Sequence, residues 1–161
     1  MKEKKIIIAS DGSGFGLKEA VKKHLVEKGY EVADVGTQEQ DKPMMFDAAA
    51  DLLAPRISSG EFEMGILVCG TGMGMSIVAN KYKGVAAAVC ENLYAAEKAR
   101  AINNANVLTM GGWITAPEIG IAITDTFLET EFTQNLEDWR AANLRKAQER
   151  EHILEGLKIA V

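Results

Sequence analysis

The feature that most constrains the fold of this chain is an alternation between short, unbroken β-branched runs and longer segments whose apolar residues recur at helical spacing. Lys5-Ile6-Ile7-Ile8-Ala9 shows no polar alternation, as befits a strand covered on both faces in a parallel sheet. It ends at Asp11-Gly12-Ser13-Gly14. Leu17, Val21 and Leu25 then repeat on one helical face, with Ala20 beside them, until Gly29 supplies a C-cap. Further strands are expected over 31–35, 64–69, 85–90 and 107–110, and further helices over 46–57, 74–82, 92–101 and 117–128, where Pro117 suits a first turn. This alternation predicts an α/β fold built on a doubly wound parallel sheet of about five strands. Sites in such sheets lie beyond the carboxyl ends of the strands, here Asp11, Gly36-Thr37, Cys69-Gly70, Cys90-Glu91 and Gly111-Gly112.

With 161 residues and 47% apolar content, the chain suits one domain with one core. That domain is expected over 1–132. Residues 133–161 form a charged helical tail whose sparse apolar positions include Leu136, Trp139, Leu144 and Ile153-Leu154. Such a tail is expected to contact another subunit, although a helix lying back on its own domain has the same periodicity. The net charge of −5, with both signs mixed along the chain, argues against nucleic acid as a partner. No run is long and apolar enough to span a bilayer, and Met1-Lys2-Glu3-Lys4-Lys5 leads straight into a strand without the features of a leader. Two cysteines are too few for a disulfide framework and fit no zinc spacing. A reducing, cytoplasmic setting is expected, with no metal or cofactor called for.

The most informative stretch is Ile66-Leu67-Val68-Cys69-Gly70-Thr71-Gly72-Met73-Gly74-Met75-Ser76, where a buried strand ends in a cysteine and alternate glycines lead into a helix. Glycines here let backbone N–H groups turn toward one point, and a helix start adds positive potential, so an oxyanion would be held and a thiolate favoured. Cys69 is therefore the candidate base or nucleophile. An inert buried thiol is the commoner fate of a lone cysteine, and that is the assignment for Cys90, which has no glycine cradle. Gly12-Ser13-Gly14-Phe15-Gly16 is not a dinucleotide fingerprint: its last glycine comes one residue early, and the second strand is not expected to end on an acidic residue. It suits a ligand-facing turn in which Asp11 or Ser13 caps the helix. Asn103-Asn104-Ala105-Asn106 sits in the turn before the last strand, where asparagine is common for local reasons. Arg100, Arg140, Arg145 and Arg150 are solvated side chains by default, with Arg140 and Arg145 as candidate anion-binding groups; His24 and His152 receive no role.

These residues resemble the family that contains type B ribose-5-phosphate isomerase and the galactose-6-phosphate isomerase subunits. The likeness runs from Lys5 to about Phe132 and is carried by Ser10-Asp11 with Gly14, Gly36-Thr37, the segment 65–76 with Ala79-Asn80-Lys81, and Asn103-Asn104-Ala105-Asn106-Val107. It implies a Rossmann-like three-layer α/β/α sandwich, a homodimer or homotetramer with sites at subunit interfaces, and no metal. It also implies that Cys69 shuttles a proton between C1 and C2 through a cis-enediolate. Gly70, Gly72, Met73, Gly74 and Thr71 would hold the oxyanion, while Asn103 and Asp11 would contact substrate.

The chain departs from the family pattern at several of its ligand positions. Gly12 and Ile102 stand where furanose-acting members carry histidines, Ile102 at the ring-opening position. Trp113 stands where arginine or lysine contacts phosphate. Met44-Met45 replaces Asp-Tyr, and the tail lacks Gly-Gly-Arg-His after Phe132. The expected function is therefore an aldose–ketose isomerase for a small sugar phosphate, a short open-chain tetrulose phosphate among the candidates. The alternatives are a galactose-6-phosphate isomerase type subunit pairing with a paralogous chain, an isomerase of an unphosphorylated sugar acid, and a catalytically silent assembly subunit.

Overall fold

The structure is a computed structural model that describes residues 4–158. The ends of the expected leaderless start and of the 133–161 tail lie outside the described residues. Strands β1 (Lys5–Ser10), β2 (Glu31–Asp34), β3 (Gly65–Cys69), β4 (Ala87–Val89) and β5 (Val107–Gly111) form one parallel sheet in the order β2-β1-β3-β5-β4. Helices α1 (Phe15–Glu27), α4 (Leu93–Ala101) and α5 (Pro117–Glu129) cover one face, where Ile6, Ile8, Ile66, Val68 and Leu108 meet Leu17, Val21, Leu25, Ile123 and Phe127. Helices α2 (Phe46–Ser58) and α3 (Met73–Ala79) cover the other, where Ile7, Ala9, Leu67 and Cys69 meet Leu53, Ile57 and Met75. Alternate residues of each strand thus enter opposite cores, which is why the strands read as unbroken apolar runs. The expected α/β/α sandwich of five parallel strands is the observed one.

Three elements differ from expectation by more than one residue, for identifiable reasons. Helix α3 stops at Ala79 rather than reaching 82, and β4 covers only 87–89 of the expected 85–90. Asn80 accounts for both: its side chain accepts from the Ala87 N–H at 2.8 Å and donates to the Ala87 carbonyl at 2.9 Å, taking up the free edge of β4. The tail helix α6 (Asp138–Lys158) starts later than 133, because Thr133 and Asn135 take φ of 64° and 56°. Left-handed backbone cannot continue a right-handed helix.

Helix α6 lies at the amino-terminal edge of the sheet. Glu155 accepts from the Gly84 N–H at 3.1 Å, and Gln148, Glu151 and His152 line a cavity of about 440 Å³ shared with Phe62, Met64 and Asn103. Trp139 remains 65% exposed. Among the described residues, no helix is long and apolar enough to cross a membrane.

Candidate active site

Three loops at the carboxyl edge converge because glycines let their backbones touch. A Cβ on Gly14 would fall 2.2 Å from the Val68 carbonyl oxygen, and one on Gly112 would fall 2.5 Å from that of Ser13. The loop after β5 is hydrogen-bonded to the loop after β3: the Gly112 N–H donates to the Cys69 carbonyl at 2.7 Å and the Trp113 N–H to the Gly70 carbonyl at 3.0 Å. The exits of β1, β3 and β5 therefore form one rigid unit at the centre of the sheet. Its middle lies where the chain's path across the sheet turns from the β1 side to the β3 side, the usual place for a ligand.

Cys69 is the last residue of β3 and is only 5% exposed. The next three residues turn back so that the Gly72 N–H donates to its sulfur at 3.1 Å. Gly72 makes this possible with φ of 77°, a left-handed conformation open to glycine. The Thr71 hydroxyl accepts from the Met73 N–H at 3.4 Å, and helix α3 begins with no side-chain cap. Its first-turn amides, Gly74 among them, have no intrahelical partner. Phe46 closes this side, since a Cβ on Gly74 would meet its ring at 2.9 Å. A thiol with a donor on its sulfur, next to uncapped N–H groups, is suited to moving a proton beside a developing oxyanion.

A cleft of about 730 Å³ opens beside these loops, lined by Asp11, Gly12, Ser13, Gln40, Pro43, Met44, Met45, Phe46 and Trp113 among others. The Asp11 carboxylate accepts from the Gly14 N–H at 2.9 Å, holding the turn rather than capping α1, which has no side-chain cap. The expectation that Asp11 or Ser13 caps the helix is therefore corrected. A Cβ on Gly12 would lie 2.6 Å from Pro43 Cβ, so the space for a side chain at position 12 is already filled. Gln40 donates to the Gly12 carbonyl at 3.2 Å, joining the 36–45 loop to the first loop.

Lys18 was not anticipated as important. It is fully buried, with Nζ 2.6 Å from Asp34, 2.8 Å from Glu19 and 2.5 Å from the Thr37 carbonyl. The Thr37 hydroxyl in turn accepts from the Met44 N–H at 3.1 Å, so Lys18 anchors the cleft wall. Burial pushes the Asp34 carboxyl up, but hydrogen bonds from Lys18 and Lys22 outweigh this and hold it below the usual carboxylate range. Strand β2 thus does end on an acidic residue, contrary to expectation. Its carboxylate is occupied by two lysines and is not free for a ribose. The available signal was a lysine next to Leu17 in the apolar stripe.

The asparagines lie at the opposite edge, in the turn between α4 and β5. A strand of five residues separates that turn from Cys69, a span of about 13 Å. Asn104 accepts from Arg100 at 3.0 Å, and Asn106 accepts from the Ala86 N–H at 2.9 Å. Asn103 is exposed and bonds to nothing among the described residues. Arg100, expected to be solvated, is buried and donates to the Ala105 carbonyl at 2.6 Å and the Thr130 carbonyl at 3.3 Å. It ties the turn to the end of α5. Arg140 and Arg145 are exposed on α6, outside the cleft lining, and Arg145 donates to the Thr133 hydroxyl at 3.1 Å. Cys90 fits its structural assignment, since burial pushes its thiol up to about 11.

The fold and site define a doubly wound α/β protein with a buried thiol and uncapped backbone donors at its switch point. The family model described as Ribose/Galactose Isomerase matches residues 6–144, and the chain belongs to that family. It is 58% identical over 146 residues to the 4-deoxy-4-sulfo-D-erythrose isomerase of Clostridium sp. strain MSTE9, covering 91% of this chain and 92% of that one. It is 38% identical over 127 residues to the D-erythrulose-4-phosphate isomerase of Pectobacterium atrosepticum, covering 79% of this chain and 84% of the relative. The solved ribose-5-phosphate isomerase B of Clostridium thermocellum superposes with a TM-score of 0.81 at 38% identity, covering 91% of this chain and 97% of that chain. This protein is an aldose–ketose isomerase.

Proposed function

We propose that the chain interconverts 4-deoxy-4-sulfo-D-erythrose and its ketose through a cis-enediolate, with Cys69 carrying the proton. The observation that carries this reading is the cleft itself, in which Pro43 fills the space beside Gly12 and no histidine is among the described residues of the walls. An aldotetrose closes a ring only through its C4 hydroxyl, and a sulfonate on C4 leaves none. Such a substrate is always open-chain, and an enzyme for it has no use for an acid–base pair at the anomeric centre. The 58% identity to an isomerase of this sugar supports the same substrate.

In this mechanism the Cys69 thiolate takes the proton from C2 of the aldehyde, and the electron pair moves onto O1. Amides of the Gly70–Gly74 loop hold that charge, with the Thr71 hydroxyl beside them. A proton passes from O2 to O1, the Cys69 thiol returns its proton to C1, and the carbonyl is left at C2. Asp11 would contact the substrate hydroxyls from the adjoining loop. The donor on the Cys69 sulfur weighs against a silent assembly subunit.

Asn103 and Arg140 are exposed and lie outside the cleft lining of their own subunit, which supports a role for them in the site of a second copy. The reading therefore includes a homo-oligomer in which the amino edge and α6 of one copy complete the cleft of another. Both cysteines are free thiols, which suits a cytoplasmic enzyme. Turnover of the sulfo-tetrose in deuterium oxide, with label appearing at C1 of the ketose, tests the reaction. Faster turnover of ribose 5-phosphate than of the sulfo-tetrose would overturn the substrate. Mixing inactive Cys69→Ala and Asn103→Ala proteins should restore part of the activity, and no recovery after subunit exchange would place Asn103 outside the shared site.

A further inference from the structure

The cleft carries an unusual charge balance for a site that takes an anionic sugar. Its described lining contains no lysine, arginine or histidine, and its one ionisable group is the Asp11 carboxylate. The nearest cations on the same walls are committed elsewhere: Lys18 is fully buried against Asp34 and Glu19, and Lys42 pairs with Glu39 at 2.6 Å. Trp113 is 75% exposed, yet its ring stands against Gly70, where an added Cβ would come within 2.7 Å of it. Gly70 directly follows Cys69 and Trp113 lines the cleft, so the indole stands between the loop of the thiol and that cleft. What the indole offers is an apolar face and one N–H donor.

We infer that Trp113 determines specificity in this site, fitting it to a singly charged sulfonate and disfavouring a doubly charged phosphate on the same four-carbon chain. The inference rests on the sulfo-tetrose reading above and adds the residue and the physical basis of the choice. A sulfonate keeps one negative charge at any working pH and spreads it over three weakly basic oxygens. A phosphate monoester has a second pKa of about 6 and carries roughly −1.5 to −2 at neutral pH. The second charge of a phosphate must be desolvated beside an indole, in a cleft whose described lining offers one carboxylate and no cation.

The test compares 4-deoxy-4-sulfo-D-erythrose with D-erythrose 4-phosphate by the ratio of their kcat/KM values, between about pH 5.5 and pH 8, a window that brackets the phosphate titration. Titrations of the free enzyme cancel in that ratio, which leaves the substrate's own charge as the variable. In the unmodified protein the ratio should favour the sulfonate by about tenfold or more at the upper end and fall as the phosphate gains a proton. Trp113→Arg should shrink the ratio by about tenfold and change its pH dependence, whereas the neutral Trp113→Phe should leave the ratio within a few-fold. A ratio that does not vary with pH, or one untouched by Trp113→Arg, overturns the inference while leaving the sulfo-tetrose reading in place. Failure of the unmodified protein to convert the sulfo-tetrose at all overturns that reading instead.

Discussion

Cys69 ends β3 and Cys90 directly follows β4 at the carboxyl edge of one sheet, both are buried, and each stands shortly before a helix. After Cys90, Asn92 caps α4 by accepting from the Ala95 N–H at 2.8 Å, and among the described residues the thiol's one hydrogen-bond partner is the Ala88 carbonyl at 3.8 Å. After Cys69 no side chain caps α3, and a backbone N–H points at the sulfur from 3.1 Å. One helix start is capped by its own sequence, and the other has no side-chain cap. Burial alone leaves a thiol inert, whereas donors aimed at a sulfur by a glycine-permitted backbone suit it to acid–base work.

The most severe way to break this contrast is to remove the two thiols in turn. Cys69→Ala should lower kcat by about 10²–10⁴-fold, the usual cost of losing a general base, with a melting temperature near that of the parent. Activity within a few-fold of the parent would take Cys69 out of the mechanism. Iodoacetamide at neutral pH should leave Cys90 unmodified until the protein unfolds, because a thiol held near 11 is almost wholly protonated there.

Replacing Lys18 sharpens the comparison by asking what holds the wall of the productive exit. Lys18→Met leaves the Asp34 carboxylate with Lys22 as its remaining lysine, and it should cost about 3 kcal/mol in a denaturant titration. The loss should be accompanied by a higher KM, since the Thr37–Met44 contact would loosen. Asp34 also sets an acid limit. Its folded carboxyl lies below its unfolded value, so its contribution is complete above the ordinary carboxylate range and is lost as pH falls through the folded value. In Lys18→Met that part of the acid destabilisation should shrink, which thermal melts at decreasing pH would detect.

The smallest effect is expected at the other cysteine. Cys90→Ala removes one sulfur from a closed core and should cost about 1 kcal/mol in stability, with kcat unchanged. A large loss of activity in this variant would mean that the β4 exit belongs to the site.

Much of this protein was legible in its sequence because the relevant forces are local. The unbroken apolar strands, the helical stripe through Leu17, Val21 and Leu25, and the glycines after Cys69 each state their backbone preference within a few residues. Together they sufficed for the parallel sheet and for singling out the loop after Cys69. Gly12 and Ile102, where furanose-acting members of the family carry histidines, are the sequence basis for proposing an open-chain substrate. What only the tertiary structure decided depends on residues far apart in the chain. It buried Lys18 against Asp34 and the Thr37 carbonyl, placed Pro43 in the space beside Gly12, and laid Trp113 on Gly70. It also turned Arg100 inward and set Asn103 a strand's length from Cys69. Sequence periodicity reports which face of an element is covered. Which partner covers it is decided by packing, where a charge or a glycine takes its meaning from the atoms that arrive beside it.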